Sequence, residues 1–176
     1  MAETFQISQF IYPLCFLIRD DKVLMLHRSN PPNQGLWNGV GGKIMPGESP
    51  LHACLREVCE ETGYVLDDHA VRFAGLLTWK GFEIAPGGLF IFSANAPEIE
   101  PSPNGEGRLE WKDPAWIQAT DQVVSNIQVF LPHILSGKPP RWFHFSYQGG
   151  VMMSHENLPL PAWACSAFIQ TGRVVN

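Results

Sequence analysis

The period of the apolar positions changes several times along the chain, and each change marks an element. Residues 11–18 (IYPLCFLI) and 22–28 (KVLMLHR) are rich in branched and aromatic side chains, with Arg19, Asp20 and Asp21 between them. That pattern predicts a β-hairpin. Pro, Asn and Gly crowd 29–35 (SNPPNQG), which predicts a loop. The stretch 36–44 (LWNGVGGKI) predicts a short strand whose glycines serve tight turns or a close approach of the backbone. At residue 50 the period becomes helical. Leu51, Cys54, Leu55, Val58 and Thr62 fall within one arc of about 100°. Ser49 is placed to cap this helix, Pro50 to open it and Gly63 to end it.

Beyond the helix, 71–79 (VRFAGLLTW) and 87–95 (GGLFIFSAN) read as strands, and 97–107 (PEIEPSPNGEG) as a surface loop. Residues 108–117 predict a strand and a turn, and 120–137 a second helix perturbed by Pro132. Alternation on both sides of Gln148-Gly149-Gly150 predicts a last hairpin over 141–155. Prolines near 159–161 oppose a helix there, and two readings stand for the end: Trp163, Phe168 and Ile169 dock on the body, or the end is mobile. With no repeat or interior linker, the pattern describes one α+β domain over residues 1–157, a mixed sheet with two helices, followed by a C-terminal tail over 158–176.

Composition narrows the partners. Of the 176 residues, 45% are hydrophobic and 16% charged, enough to build a core. A net charge of −5 argues against duplex nucleic acid, which needs a basic footprint. It leaves room for a small anion wherever a metal or local basic residues supply positive charge. The four cysteines form no C-x-x-C pair, which argues against zinc. Cys54 and Cys59 point about 140° apart on the helix and are not expected to bridge. The N-terminal segment has no basic region, and Pro13 breaks its apolar run, so no membrane span is expected. Reduced thiols and the lack of a leader predict a cytoplasmic location. Oligomeric state is not legible.

The chemistry is concentrated in the helix. Glu57 and Glu61 are an i,i+4 pair and Glu57 and Glu60 an i,i+3 pair, all placed opposite the apolar stripe. Like charges so spaced destabilise a helix by roughly 0.2–0.5 kcal/mol per pair. Near a helix C-terminus the dipole adds to that cost. Two readings follow. One is a solvated acidic face. The other is a site for a hard cation such as Mg²⁺, which takes carboxylate oxygens and completes its shell with water and substrate phosphate. The glycine-rich turn upstream favours the second. Arg56 can orient a carboxylate, and Glu48 is either its partner or a further acid.

Gly42, five residues, Glu48, seven residues, then Arg56-Glu57-Val58-Cys59-Glu60-Glu61-Thr62-Gly63-Tyr64 resembles the Nudix box at every fixed position. Tyr64 departs softly, standing where an aliphatic residue is usual. The approach WNGVGGK (37–43) is similar to that of MutT-like oxidised-purine nucleoside triphosphatases in the same family. The resemblance implies an α/β/α sandwich around a mixed sheet and Mg²⁺-dependent hydrolysis, with Mn²⁺ as a substitute, of a nucleoside triphosphate such as 8-oxo-dGTP. It implies metal ligation by Glu57, Glu60, Glu61 and the Gly42 carbonyl, supported by Arg56 and Glu48. Arg28 and Lys43 are placed to meet phosphates, and Glu106 to add an acid to the site. Asn126 reads a base edge or caps the second helix, and Asn38 touches the base or shapes the turn. Trp37, Phe82 and Trp111 are candidates for stacking on a base, or for the core. Two alternatives to the triphosphatase remain: a family member acting on ADP-ribose or dinucleoside polyphosphates, and a nucleotide sensor without catalysis.

Overall fold

A computed structural model describes residues 7–82, 84–102, 107–164 and 169–170. The first hairpin joins β1 (Phe10–Arg19) and β2 (Lys22–Arg28), antiparallel, through Asp20 and Asp21. Both turn residues have positive φ, 50° and 59°, which suits the right-handed twist of the strands. After β3 (Trp37–Asn38) comes helix α1 (Pro50–Thr62). The Ser49 side chain accepts from the His52 N–H at 3.2 Å, and Gly63 at φ 75° donates its N–H to the Cys59 carbonyl. Strands β4 (Val71–Lys80), β5 (Gly87–Asn95) and β6 (Gly107–Lys112) follow. Helices α2 (Pro114–Ala119) and α3 (Ile127–Leu135) and the hairpin β7 (Arg141–Gln148) and β8 (Val151–Leu158) complete the set.

The strands form one mixed sheet in the order β3-β2-β1-β5-β4-β7-β8, with β6 paired on β2. β1 runs parallel to β5 and β4 parallel to β7, while the other pairs are antiparallel. Period 2 sends alternate residues to opposite layers. On one face Leu17, Leu24, Leu76 and Phe92 meet Leu51, Cys54 and Val58 of α1. On the other, Phe16, Met25, Leu77 and Phe145 meet Ile117 of α2 and Phe130 and Ile134 of α3. This is the expected α/β/α sandwich.

The structure departs from expectation in the region 113–137. Asp113 caps a short helix, α2, by accepting from the Ala115 N–H at 2.8 Å, where a turn was expected. Residues 120–126 are not helical. Trp37 donates its N–H to the Gln122 carbonyl at 2.8 Å and accepts from the Val124 N–H at 3.0 Å, and this pairing holds the segment extended. α3 therefore opens at Ile127 and retains Pro132 inside it.

Past β8, the Trp163 ring meets Phe10 edge-on at 5.1 Å, and Ala164 and Ile169 are buried in the layer under α1. Phe168 and Cys165 lie outside the described residues. Cys15, Cys54 and Cys59 are free thiols. Among the described residues, no helix is long and apolar enough to cross a membrane.

Candidate functional site

The glycine-rich segment after β3 lies along the flank of α1. Val40 exchanges both backbone hydrogen bonds with Cys15 of β1, and this fixes the path of the glycines that follow. A Cβ on Gly42 would overlap the Glu57 carboxylate, so only glycine lets the backbone approach the helix here. The Gly41 N–H donates to Glu61 Oε2 at 2.8 Å, and the Lys43 N–H donates to Glu57 Oε1 at 3.1 Å. Glu57 is 9% exposed and Glu61 2% exposed. The acidic side of α1 is thus not a solvated face, because the glycine backbone covers Glu57 and Glu61 and gives their carboxylates amide donors. Glu60 remains on the exposed side of the helix.

Arg56 organises the rest. Its Nε and Nη2 donate to both oxygens of Glu48, at 2.8 and 2.9 Å, and Nη2 also reaches the Lys43 carbonyl at 2.8 Å. Its Nη1 donates to Glu57 Oε1 at 2.7 Å and to Glu60 Oε2 at 3.3 Å. Glu48 is therefore the partner of Arg56. The hydrogen bonds from Arg56 hold its carboxyl below the ordinary range despite partial burial. Those with Glu48 hold the guanidinium firmly charged. One cation ties the loop before α1, the glycine segment and two of the three acids into a single unit.

Among the described residues, no three His, Cys, Asp or Glu side chains already converge on one point. Gly42, Glu57 and Glu61 are brought together, while Glu60 turns outward to Arg56. The donor set fits a hard cation. It is all oxygen, and it lies beside a backbone bend that only glycine permits.

Beside this unit opens a cleft of about 830 Å³. Gly41, Gly42, Lys43, Arg28, Asn38 and Asn126 all line it, so the expected phosphate and base contacts share one cavity with the glycine segment. Lys43 is exposed, and Arg28 is half-buried with its Nε donating to the Pro32 carbonyl at 2.7 Å. Asn38 Oδ1 accepts from the Gly39 N–H at 2.9 Å, which shapes the turn from within the cleft. Asn126 stands at the N-cap of α3 yet makes no capping hydrogen bond with its side chain.

Of the three stacking candidates only Phe82 reaches the cleft. Trp37 is 1% exposed and packed under the Lys112 ammonium, 4.2 Å from its ring centre. Trp111 lies under the Arg19 guanidinium at 4.3 Å. The apolar walls come instead from Tyr12, Trp79 and Tyr147, with Leu36 and Ile84. Strand alternation was the available signal, since Leu77 and Trp79 face the same layer. Glu106 lies outside the described residues. A shallower depression lined by Trp116, Ala119, Thr120 and Asp121 includes none of the glycine–glutamate unit.

The NUDIX domain family model matches residues 12–134. Oxidized purine nucleoside triphosphate hydrolase from Danio rerio is 29% identical over 146 residues, 81% of this chain and 90% of that protein. The uncharacterized Nudix hydrolase YvcI of Bacillus subtilis (strain 168) is 33% identical over 102 residues; the match covers 56% of this chain and 63% of YvcI. The crystal structure of the mutator MutT protein from Bacillus halodurans is similar with a TM-score of 0.72 at 27% identity, over 85% of this chain and 98% of that one. With the family model spanning residues 12–134, most of the chain, the chain belongs to the Nudix hydrolase family.

Proposed function

We propose that the protein hydrolyses a nucleoside triphosphate to the monophosphate and pyrophosphate, with Mg²⁺ as cofactor, Mn²⁺ as a substitute, and an oxidised purine nucleotide such as 8-oxo-dGTP as substrate. The observation that carries this reading is that one backbone segment serves two chemistries. Gly41 and Lys43 donate their N–H groups to the Glu61 and Glu57 carboxylates, and the same segment lines a cleft with aromatic walls and the Asn38 and Asn126 amides. The relative from Danio rerio supports the substrate class.

In this reading Glu57, Glu60, Glu61 and the Gly42 carbonyl hold the cation. Bound there, Mg²⁺ would polarise phosphoryl oxygens and lower the pKa of an attacking water. Arg28 and Lys43 bind the phosphates, whose charge they offset at the mouth of the cleft. Arg56 orients Glu57, with Glu48 fixing the guanidinium in turn. Glu106 supplies a further acid. Asn38 and Asn126 read the base edge, and Trp79, Phe82 and Tyr147 exclude water around the ring. Water adds to a phosphorus, the anhydride bond breaks, and pyrophosphate leaves from the nucleoside monophosphate.

The test is a panel of nucleotides, oxidised and unoxidised triphosphates alongside ADP-ribose and dinucleoside polyphosphates, with products identified. The expected result is highest kcat/KM on an oxidised purine triphosphate. Absence of turnover with Mg²⁺ or Mn²⁺ on every compound would sink the reading. Preference for ADP-ribose or a dinucleoside polyphosphate would move the substrate within the family.

A further inference from the structure

Tyr64 follows the Gly63 cap of α1 and stands where the Nudix box usually carries an aliphatic residue. Its ring fills that apolar place: it is 1% exposed and belongs to the layer of Leu51, Cys54 and Val58. The far end of the ring does what no aliphatic side chain can. The Tyr64 hydroxyl donates to the Ile99 carbonyl at 2.6 Å. Burial pushes the phenol's pKa up, so it keeps the proton it donates.

The same carbonyl accepts from Arg19 at the end of β1. Arg19 Nη1 reaches the Ile99 carbonyl at 2.8 Å and the Pro97 carbonyl at 3.0 Å, and Nη2 pairs with Glu100 at 2.7 Å. The guanidinium also lies over Trp111 of β6. Residues 97–100 are thus tied to β1, to β6 and to the residue after the α1 cap. Only Glu100 and Pro101 separate Ile99 from Ser102, and the proline ring fixes its own φ. With Ile99 held, Ser102 has little freedom, and its N–H donates to the Thr62 carbonyl at 2.8 Å.

Thr62 is the last residue of α1, and that turn has reason to fray. Its final carbonyls find no N–H further along the helix. Glu60 and Glu61 put negative charge where the helix dipole disfavours it, and the turn contains no basic residue. Both acids also neighbour Glu57 at i,i+3 and i,i+4. Arg56 offsets Glu57 and Glu60 from the side. The Ser102 amide closes the end, and the Tyr64 hydroxyl holds the segment that delivers it.

We propose that Tyr64 is a positioning residue: its hydroxyl, with Arg19, fixes residues 97–102 on the end of α1 and so holds Glu60 and Glu61 in place to take a divalent cation. This rests on the reading of those carboxylates as cation ligands given above. A group that orders the ligands before the ion arrives raises affinity without touching the ion.

The experiment compares wild type, Tyr64→Phe and Arg19→Gln without nucleotide. Mn²⁺ binding is read by EPR, and amide hydrogen exchange by NMR on the metal-free protein. Tyr64→Phe keeps the ring and removes only the hydroxyl. Its Mn²⁺ Kd is expected to rise about tenfold, the lower end for groups that position metal ligands. Exchange at the Glu61 and Thr62 amides is expected to quicken about fivefold, the effect of one lost hydrogen bond, with the Leu55 amide unchanged. Arg19→Gln is expected to move both readings in the same direction. A Kd within twofold of wild type in Tyr64→Phe, or unmoved exchange at Glu61 and Thr62, overturns the inference. Equal acceleration at Leu55 overturns it too, since the hydroxyl would then serve the whole fold and not the last turn. Should wild type bind no Mn²⁺, the cation reading fails by itself, and the exchange rates still decide whether Tyr64 holds the last turn. If Tyr64→Phe unfolds, Arg19→Gln is judged by the same two measurements and the same limits.

Discussion

Gly42 and Glu57 occupy positions that exclude any larger neighbour, so the site is most sensitive there. A methyl at Gly42 would displace the Glu57 carboxylate. Misplacing a catalytic group by about 1 Å costs on the order of 10²-fold in rate. Gly42→Ala is therefore expected to lower kcat/KM about a hundredfold while the protein stays folded, as measured by steady-state kinetics beside thermal unfolding. Retention of activity within threefold would show that the carboxylate has room to move. The Glu48–Arg56 pair makes a different prediction. Arg56 depresses the Glu48 carboxyl, so the folded state binds that proton less readily than the unfolded chain. The pair contributes its full stability above the ordinary glutamate pKa of 4.5 and loses it as pH falls through the lower folded value. Glu48→Gln is expected to cost about 2 kcal/mol at neutral pH, with the gap to wild type closing in acid, as read from denaturant unfolding at several pH values. A gap that is constant with pH would contradict the assignment.

At the scale of elements, α1 was readable because its signals are local. Ser49, Pro50, the apolar stripe and Gly63 all act within the helix or one residue beyond it. Ser49→Ala is expected to destabilise by about 1 kcal/mol in thermal or denaturant melts. A neutral result would mean that the cap is satisfied otherwise. What the helical pattern did not reveal was the burial of Glu57 and Glu61. The segment that covers them is Gly41, Gly42 and the Lys43 backbone, which carries no apolar signature. The region 113–137 was misread for a related reason. Val123 and Val124 sit extended because they pair with Trp37, far away in sequence, and no window around residue 124 contains that partner. The box residues themselves were legible because their spacing is fixed along one helix and the turn before it. The aromatic walls were not, because Tyr12, Trp79 and Tyr147 come from three strands and only the sheet order brings them together.

For the molecule as a whole, two apolar layers hold one sheet, and the glycine–glutamate unit and the aromatic walls of the cleft depend on different layers. The glycine–glutamate unit sits on the α1 side. The aromatic end of the cleft is built by β4, β7 and the segment before α3 on the other. Phe130, fully buried among Phe16, Phe143 and Phe145, is central to that second layer. Phe130→Ala is expected to cost about 3–5 kcal/mol in denaturant unfolding, and a loss below about 1 kcal/mol would mean that the layer collapses to fill the space.

The central claim is that the carboxylates held against the glycine segment are the seat of metal-dependent hydrolysis. Its most direct test is Mg²⁺-dependent hydrolysis of 8-oxo-dGTP, with products identified, by wild type, Glu57→Gln and Glu61→Gln. The account predicts monophosphate and pyrophosphate from wild type, loss of turnover on chelation, and a fall on the order of 10²–10³-fold in each variant. Turnover and Mg²⁺ dependence that survive intact in both variants would contradict it.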